Sequence, residues 1–413
     1  MTSAPPSRTR TRLRVTTTPV TGPAFPEDLL SRLPDPGGAL AWVREGSGLV
    51  GWGEAARFET SGAGRFAEAD RLWREFTAEL DVEDAVGVPG TGAVAFASMA
   101  FADEPGSSVL VVPRVVLGRR GEHRWVTTIG EVDGDPLERA VRPVRRPSTI
   151  RYSDGRVPVT RYREAVAEAV RRMRAGELAK VVLAHDLLAV ADVDIDERFL
   201  LGGLARRYPE CWVYAVDGLV GATPELLLRR TGEVVDSRVL AGTTWPGSGT
   251  DEEALLASGK NREEHEYAIA SLTEALRPFC AALSVDGPSV LRLPNVSHLS
   301  SDVIGTLRDD PSPLRLVEAL HPTAAVGGTP KGDATRLIRE LEGADRERYA
   351  GPVGWIDGNG DGELGIALRG AQVSGRTARL RAGCGVVADS DPDTEVREAH
   401  AKTLPMREAL EGL

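Results

Sequence analysis

The chain has 413 residues, 41% of them hydrophobic and 27% charged, the balance of a soluble globular protein large enough to bury a sizeable core. A net charge of −11, with no basic stripe interleaved with aromatics, excludes nucleic acid as an expected partner, and no segment approaches the ~20 apolar residues that span a bilayer. The three cysteines, Cys211, Cys280 and Cys384, lack CxxC spacing, which argues for the reducing cytoplasm and against a disulfide framework or a zinc site.

The opening MTSAPPSRTRTRLRVTTTP has no apolar run and reads as a flexible tail, disordered over about the first ten residues. Up to about Arg146, short apolar runs such as VLVVPRVVLG alternate with turn-rich pieces such as VGVPGTGAVAF, which predicts strands with few helices. VRPVRRPSTIRYSDGRVPVT then reads as a connection, dividing the chain into residues 1–150 and 151–413. Beyond it Tyr162, Ala165, Val166, Ala169, Val170 and Met173 fall at helical spacing, with Gly176 placed as a C-terminal cap. Lys180 opens a buried strand, KVVLAHDLLAV. A meander with hairpin signals at Asp217-Gly218 and Thr231-Gly232 follows. Glu264 shares a helical face with Ala268, Leu272, Ala275, Leu276 and Phe279, so a carboxylate points to the core side and needs a partner. Near the end, Asp391 and Pro392 form an N-cap and first helical position; Glu395, Glu398 and Lys402 then share one stripe, and Pro405 is expected to bend or stop that helix. Antiparallel strands with helices outside define an α+β class, an α/β sandwich.

Site chemistry concentrates between Leu320 and Lys402. DGNGDG at Asp357 imitates a calcium loop, but Leu368 stands where the bidentate glutamate belongs, so a hairpin turn is expected. Gly383-Cys384-Gly385 imitates a phosphate loop, yet it sits within a strand pattern. Singly, Glu264, Glu395 and Glu398 read as solvated helix residues; together they suit a hard divalent cation, Mg²⁺ ahead of Ca²⁺, and ahead of Zn²⁺ for want of a His/Cys cluster. Lys180 is either a surface lysine or, if buried beside a metal ion, a neutral amine usable as a general base. Glu225, if buried without a cation, becomes a general acid. His298 and His321 are equally readable as core residues or as ligand contacts.

GATPELL, DSRVLAGT, KNREEHEYAI, NVSHLSSDVIGTL, LHPTAAVGGTP, RYAGPVGWIDGNGDGELGIALRGA and LRAGCGVVADSDPDTEVREAHAK resemble, in order, the motifs of the chorismate-utilising enzymes, most closely the isochorismate synthases. GVPGTGAVAFASMAF extends the likeness into the N-terminal half. The resemblance implies one large domain of two similar halves, two stacked antiparallel sheets with outer helices, often monomeric. It implies Mg²⁺-dependent, reversible conversion of chorismate to isochorismate. Lys180 would activate water at C2, and Glu225 would protonate the departing C4 hydroxyl. Glu264 and Glu395 match metal ligands, with Glu398 acting through water. Tyr349, Arg369, Gly383, Gly385 and Lys402 match positions that hold the substrate carboxylates, while Gly242, Thr243, Ala325 and His298 match the pocket lining. Relatives that use ammonia carry glutamine at the position of Lys180 or lysine at that of Ala241. Salicylate synthases share the lysine but often have threonine at the position of Ala325, and a non-catalytic chorismate-binding protein would need neither Lys180 nor Glu225. Thr223, Ala399 and Cys384 depart from the usual serine, threonine and alanine. Menaquinone and siderophore synthesis remain equally open destinations for the product.

Overall fold

The computed structural model describes residues 12–22, 25–244, 252–294 and 296–413. Most of the expected N-terminal tail therefore lies outside the described residues. Two sheets carry the architecture, and each is spliced from both ends of the chain. The first runs Ile150–Asp154, Lys180–Ala191, Thr377–Val386, Gly370–Ser374, Leu219–Thr223 and Trp212–Val216, and continues through Leu40–Arg44, Ser47–Trp52, Val115–Arg120, His123–Ile129, Leu13–Pro19 and Leu80–Asp84. The second runs Cys280–Arg292, Ser297–Leu307, Val234–Thr244, Leu226–Thr231, Gly362–Ile366 and Pro352–Asp357, and continues through Val94–Ser98, Ser107–Val112 and Ala56–Ser61. The splices are backbone pairings: Ala41–Val43 against Val213–Ala215, and Val94–Ser98 against Val353–Asp357.

Pairing is antiparallel throughout the described residues except between Leu13–Pro19 and Leu80–Asp84, which run parallel. A parallel pair needs a long crossover, and here three intervening strands and a helix supply it. The segment read as a connection also contributes an edge strand, Ile150–Asp154, paired with the end of Lys180–Ala191.

Large aromatics fill the space between the sheets. Trp42, Trp125, Trp212, Trp355, Phe96 and Tyr214 form one buried cluster drawn from both inner faces. Trp42 also donates its indole N–H to Glu363 Oε2 at 3.0 Å, tying one sheet to the other. The described helices cover the outer faces: α1 Arg65–Ala78, α2 Val159–Arg174, α3 Glu197–Arg207, α4 Glu252–Ala257, α5 Gly259–Leu276, α6 Pro313–Leu320, α7 Lys331–Glu342 and α8 Pro392–Glu411.

Helix α2 buries the six residues whose spacing predicted it, and Gly176 takes φ +81° just past its end, a conformation that glycine adopts without Cβ strain. At Asp217-Gly218 both residues have positive φ, as the two-residue hairpin requires. Pro405 does not stop the helix: α8 continues through it to Glu411. A helical proline costs about 3 kcal/mol. Pro405, Met406, Ala409 and Leu410 are all buried, the last three in the core shared with α3, and that packing holds the last turns in place. All three cysteines are free and buried.

Candidate active site

Two neighbouring strands of the first sheet bring the site together. Lys180–Ala191 pairs with Thr377–Val386 so that Val182 lies opposite Gly385 and Ala184 opposite Gly383. Period-two alternation aims Lys180 and both glycines to one face. Lys180 is fully buried, and its Nζ sits 3.1 Å from Glu264 Oε1, which α5 delivers from the second sheet's side. Glu264 thus has the partner that its inward face demanded. A Cβ on Gly385 would fall 2.2 Å from Glu264 Oε1 and 3.0 Å from Lys180 Cε, so glycine is the residue that admits this pair.

Glu225 follows Pro224 at the start of the strand Leu226–Thr231 and is 5% exposed. Burial pushes its carboxyl up to about 8, against the opposing pull of Arg369 and Lys180. Such a group holds its proton at neutral pH, as a general acid must.

Arg369 takes φ 50°, a left-handed backbone unusual for a non-glycine residue, which marks a position held by its surroundings. Its Nη2 donates to His298 Nε2 at 3.0 Å. Because a guanidinium only donates, His298 must accept at Nε2 and carry its proton on Nδ1, which lies 3.1 Å from Thr243 Oγ1. Burial and the Arg369 charge hold this imidazole well below its usual range, hence neutral. The Nε–H of Arg369 is buried with no acceptor among the described residues, a donor ready for an anionic ligand.

Helix α8 supplies the remaining charges. Asp391 caps its first turn by accepting from Thr394 N at 2.9 Å, with Pro392 at the first position. Lys402 donates to Gly383 O at 3.1 Å and pairs with Glu398 Oε1 at 2.5 Å. Burial alone would lower its amine; the Glu398 carboxylate with which it pairs raises it instead, so Lys402 stays charged.

Ligand atoms of Glu395, Glu398 and Cys384 lie within 4.8 Å of one another. The Cys384 thiol donates to the Glu395 carbonyl oxygen at 3.3 Å, and burial followed by the Glu398 charge pushes it well above its usual range. A protonated thiol is a poor ligand, so the donors are oxygens. The two α8 carboxylates suit a hard divalent cation better than a soft one, whereas Glu264, ion-paired with Lys180, falls outside this 4.8 Å group.

The cavity is walled by Glu225, Thr243, Glu264, His298, Ala325, Tyr349, Arg369, Gly383, Gly385 and Lys402, with Val182, Leu240 and Arg346 among the others. Lys180 lies just behind this wall, between Glu264 and Gly385. Gly242, at φ +79°, shapes the strand beside Thr243 without lining the cavity, and Glu395 and Glu398 stand behind Lys402 and Cys384. His321 is a core residue: its Nε2 donates to Phe101 O at 2.9 Å, and burial lowers its ring to about 3. A roomier cleft between α1, α6 and the turn after Asp357 contains none of the predicted site residues.

Two neighbours escaped the sequence reading. Arg346 pairs with Glu342 Oε1 at 2.5 Å, donates to Val182 O at 2.7 Å and to Val326 O at 3.0 Å, and lies 4.4 Å from the Phe101 ring centre. Nothing in the spacing of ADRERYAG separates it from Arg348. His265, adjacent to Glu264, fastens α5 to the second sheet through Ala241 O at 3.2 Å and Ser301 Oγ at 2.9 Å. Its helical position, next to the inward stripe, was the available signal.

Comparison with known proteins agrees with this geometry. Residues 41–411 match the family described as Chorismate binding enzyme. The salicylate biosynthesis isochorismate synthase of Pseudomonas aeruginosa is 33% identical over 410 residues, covering 91% of this chain and 85% of that protein. The isochorismate synthase EntC of Escherichia coli is 38% identical over 258 residues, 60% of this chain and 66% of that one. Among solved structures, DhbC of Bacillus anthracis, which carries the name of a 2,3-dihydroxybenzoate-specific isochorismate synthase, superposes with a TM-score of 0.75 at 30% identity, covering 92% of this chain and 98% of that one. With a match that spans both sheets and the whole of the site, this chain belongs to the chorismate binding enzyme family.

Proposed function

We propose that the protein is an isochorismate synthase, a Mg²⁺-dependent hydroxymutase that adds water at C2 of chorismate and expels the C4 hydroxyl. The observation that carries this reading is a fully buried lysine amine directly behind the wall of a cavity that a carboxyl pushed up to about 8 helps to line. Replacing the hydroxyl needs a proton taken from the water that attacks C2 and another delivered to the oxygen that leaves C4, so a base and an acid are required together. Lys180 serves as the base for the attacking water, and Glu225 delivers its proton to the departing C4 oxygen. Arg369 offers its unpartnered Nε–H and Lys402 a point charge to the two carboxylates. His298 and Thr243 hold the Arg369 guanidinium in place. Glu264 and Glu395, with Glu398 behind them, would hold Mg²⁺, which when bound supplies neutralising charge to the ring carboxylate. We also read the protein as a cytoplasmic monomer; no described helix is long and apolar enough to cross a membrane.

The test is the product formed from chorismate and Mg²⁺, separated by chromatography. Isochorismate is expected. Salicylate accumulating without an added lyase would replace this reading with a pyruvate-eliminating one. Ligand-induced stabilisation without turnover would make the protein a binder only.

A further inference from the structure

Of the two edges of the strand Lys180–Ala191, one pairs with Thr377–Val386 continuously from Val181 to Val190. The other is patched: Thr329 and Gly328 pair with Lys180 and Val181, and Ile150–Asp154 pairs only from Leu187 onward. Alternate residues of an antiparallel strand turn their N–H and C=O groups to the same edge, so Val182, Ala184 and Asp186 present theirs to this gap. Val182 N–H donates to Gly327 O at 2.8 Å, and Asp186 N–H to Val157 O at 3.2 Å. Two side chains close the stretch between. Ala184 N–H donates to Glu342 Oε1 at 2.9 Å, and Val182 O accepts from Arg346 Nη2 at 2.7 Å. Arg346 further donates from Nε to Glu342 Oε2 at 3.0 Å and from Nη1 to Val326 O at 3.0 Å, next to Ala325 on the cavity wall. Both Glu342, the last residue of α7, and Arg346 are only 3% exposed.

We propose that Glu342 and Arg346 are positioning residues for the reaction: as a clasp they stand in for a missing strand, fix the start of the Lys180 strand against the loop 323–327, and so set where the Lys180 amine sits behind the cavity. The proposal deepens the reading of Lys180 as the base and rests on it. Lys180 lies two residues before Val182 and reaches Glu264 Oε1 at 3.1 Å, so a displacement of this backbone is passed directly to the amine. An error of about 1 Å at a reacting group costs about 10²-fold in rate. A guanidinium suits the task because its donors diverge in one plane to a carboxylate and to two carbonyls on separate segments, a span that a single ammonium nitrogen lacks.

Hydrogen exchange resolved to single amides tests the clasp in the native protein. Ala184 should be protected as strongly as Leu183, which faces Thr377–Val386; exchange of Ala184 at the rate of an exposed edge amide would overturn the proposal. Two variants then test its consequence. Arg346→Lys keeps the charge opposite Glu342 but not the fork. Glu342→Gln combined with Arg346→Met removes both charges together, so that neither is left buried alone. In each, kcat should fall about 10- to 100-fold with KM for chorismate within about threefold of native. The amides of Val182 and Ala184 should exchange faster, while those of Val94–Ser98 in the second sheet keep their native rates. Native kcat in either variant that retains the native melting temperature would overturn the positioning role. So would a loss of kcat accompanied by equally accelerated exchange in both sheets, the mark of a pair that only holds the fold. A native protein that neither binds nor converts chorismate would instead overturn the functional reading, and the exchange of its Ala184 would still judge the clasp.

Discussion

The N-terminal segment and the part that begins at Ile150 build the same two sheets but divide the work unequally. The early strands extend each sheet by pairing edge to edge, and their side chains fill the aromatic layer with Trp42, Phe96 and Trp125. Every side chain on the catalytic cavity wall comes from Val182 onward. What the first segment gives the site is support from behind: Phe101 underlies Arg346, bonds its backbone N–H to Glu347 O at 2.9 Å and receives the His321 imidazole. The contrast explains why motif density and sheet area do not coincide. Strands need only alternation, while a site needs particular atoms at particular places.

The sharpest test of this division is Lys180→Ala, which should reduce turnover about 10³-fold or more while Mg²⁺-dependent chorismate binding persists by calorimetry. Activity retained at neutral pH would remove Lys180 as the base.

Next comes Glu225→Gln, with an expected loss of about 10²- to 10³-fold in kcat. In the native enzyme the acid works while protonated, so kcat should decline as pH rises through about 8, and the residual activity of the variant should lack that limb. Stability follows the same sign. A carboxyl raised in the folded state binds its proton more tightly there than in the unfolded chain, so its contribution is intact below the ordinary glutamate range and is lost as pH climbs toward 8. Glu197 and Asp357, both buried and raised to about 7, titrate in the same window. Melting temperatures of native protein and variant, compared pH by pH, isolate Glu225: the variant should gain relative to native between about pH 5 and 8.

A smaller effect is expected for Glu395→Gln, which should raise the Mg²⁺ concentration at half-maximal activity about tenfold or more; an unchanged metal titration would take Glu395 off the ligand set. The smallest effect on kcat belongs to Phe101→Ala. It should cost about 3–5 kcal/mol of stability yet change kcat less than threefold in the protein that remains folded. A loss of kcat as large as that of Glu225→Gln would show that the N-terminal segment participates in catalysis, and the comparison would have to be redrawn.

How far the sequence could be read follows the same line. Helix α2 was legible because its six apolar residues obey one period and a glycine stands where the chain must turn left-handed. The gathering of Glu225, Thr243, Glu264, His298, Tyr349, Arg369 and Lys402 about one cavity was legible through motif strings, in which residue type and spacing are tied to chemistry. The edge-to-edge joining of the two segments was not, because the partners Trp42 and Tyr214 are far apart in sequence and no local pattern encodes their pairing. Arg346 was hidden for a similar reason. Its role is set by Glu342, Val182 and Phe101 converging from three elements, which no spacing reveals. Pro405 does not end α8 because tertiary packing, which no local pattern displays, outweighs its intrinsic helix cost.

The spliced sheets also bear on how the polypeptide can be divided. Cutting it near residue 140 would strip Trp212–Val216 and Pro352–Asp357 of their outer neighbours at once, baring two rows of unsatisfied amides and carbonyls in the larger fragment and two matching rows in the smaller. The fragment with all the cavity-wall residues would then be an aggregation hazard when expressed by itself. Its solubility, and with it its chemistry, should return only when both pieces are synthesised in the same cell and zip together along the two seams.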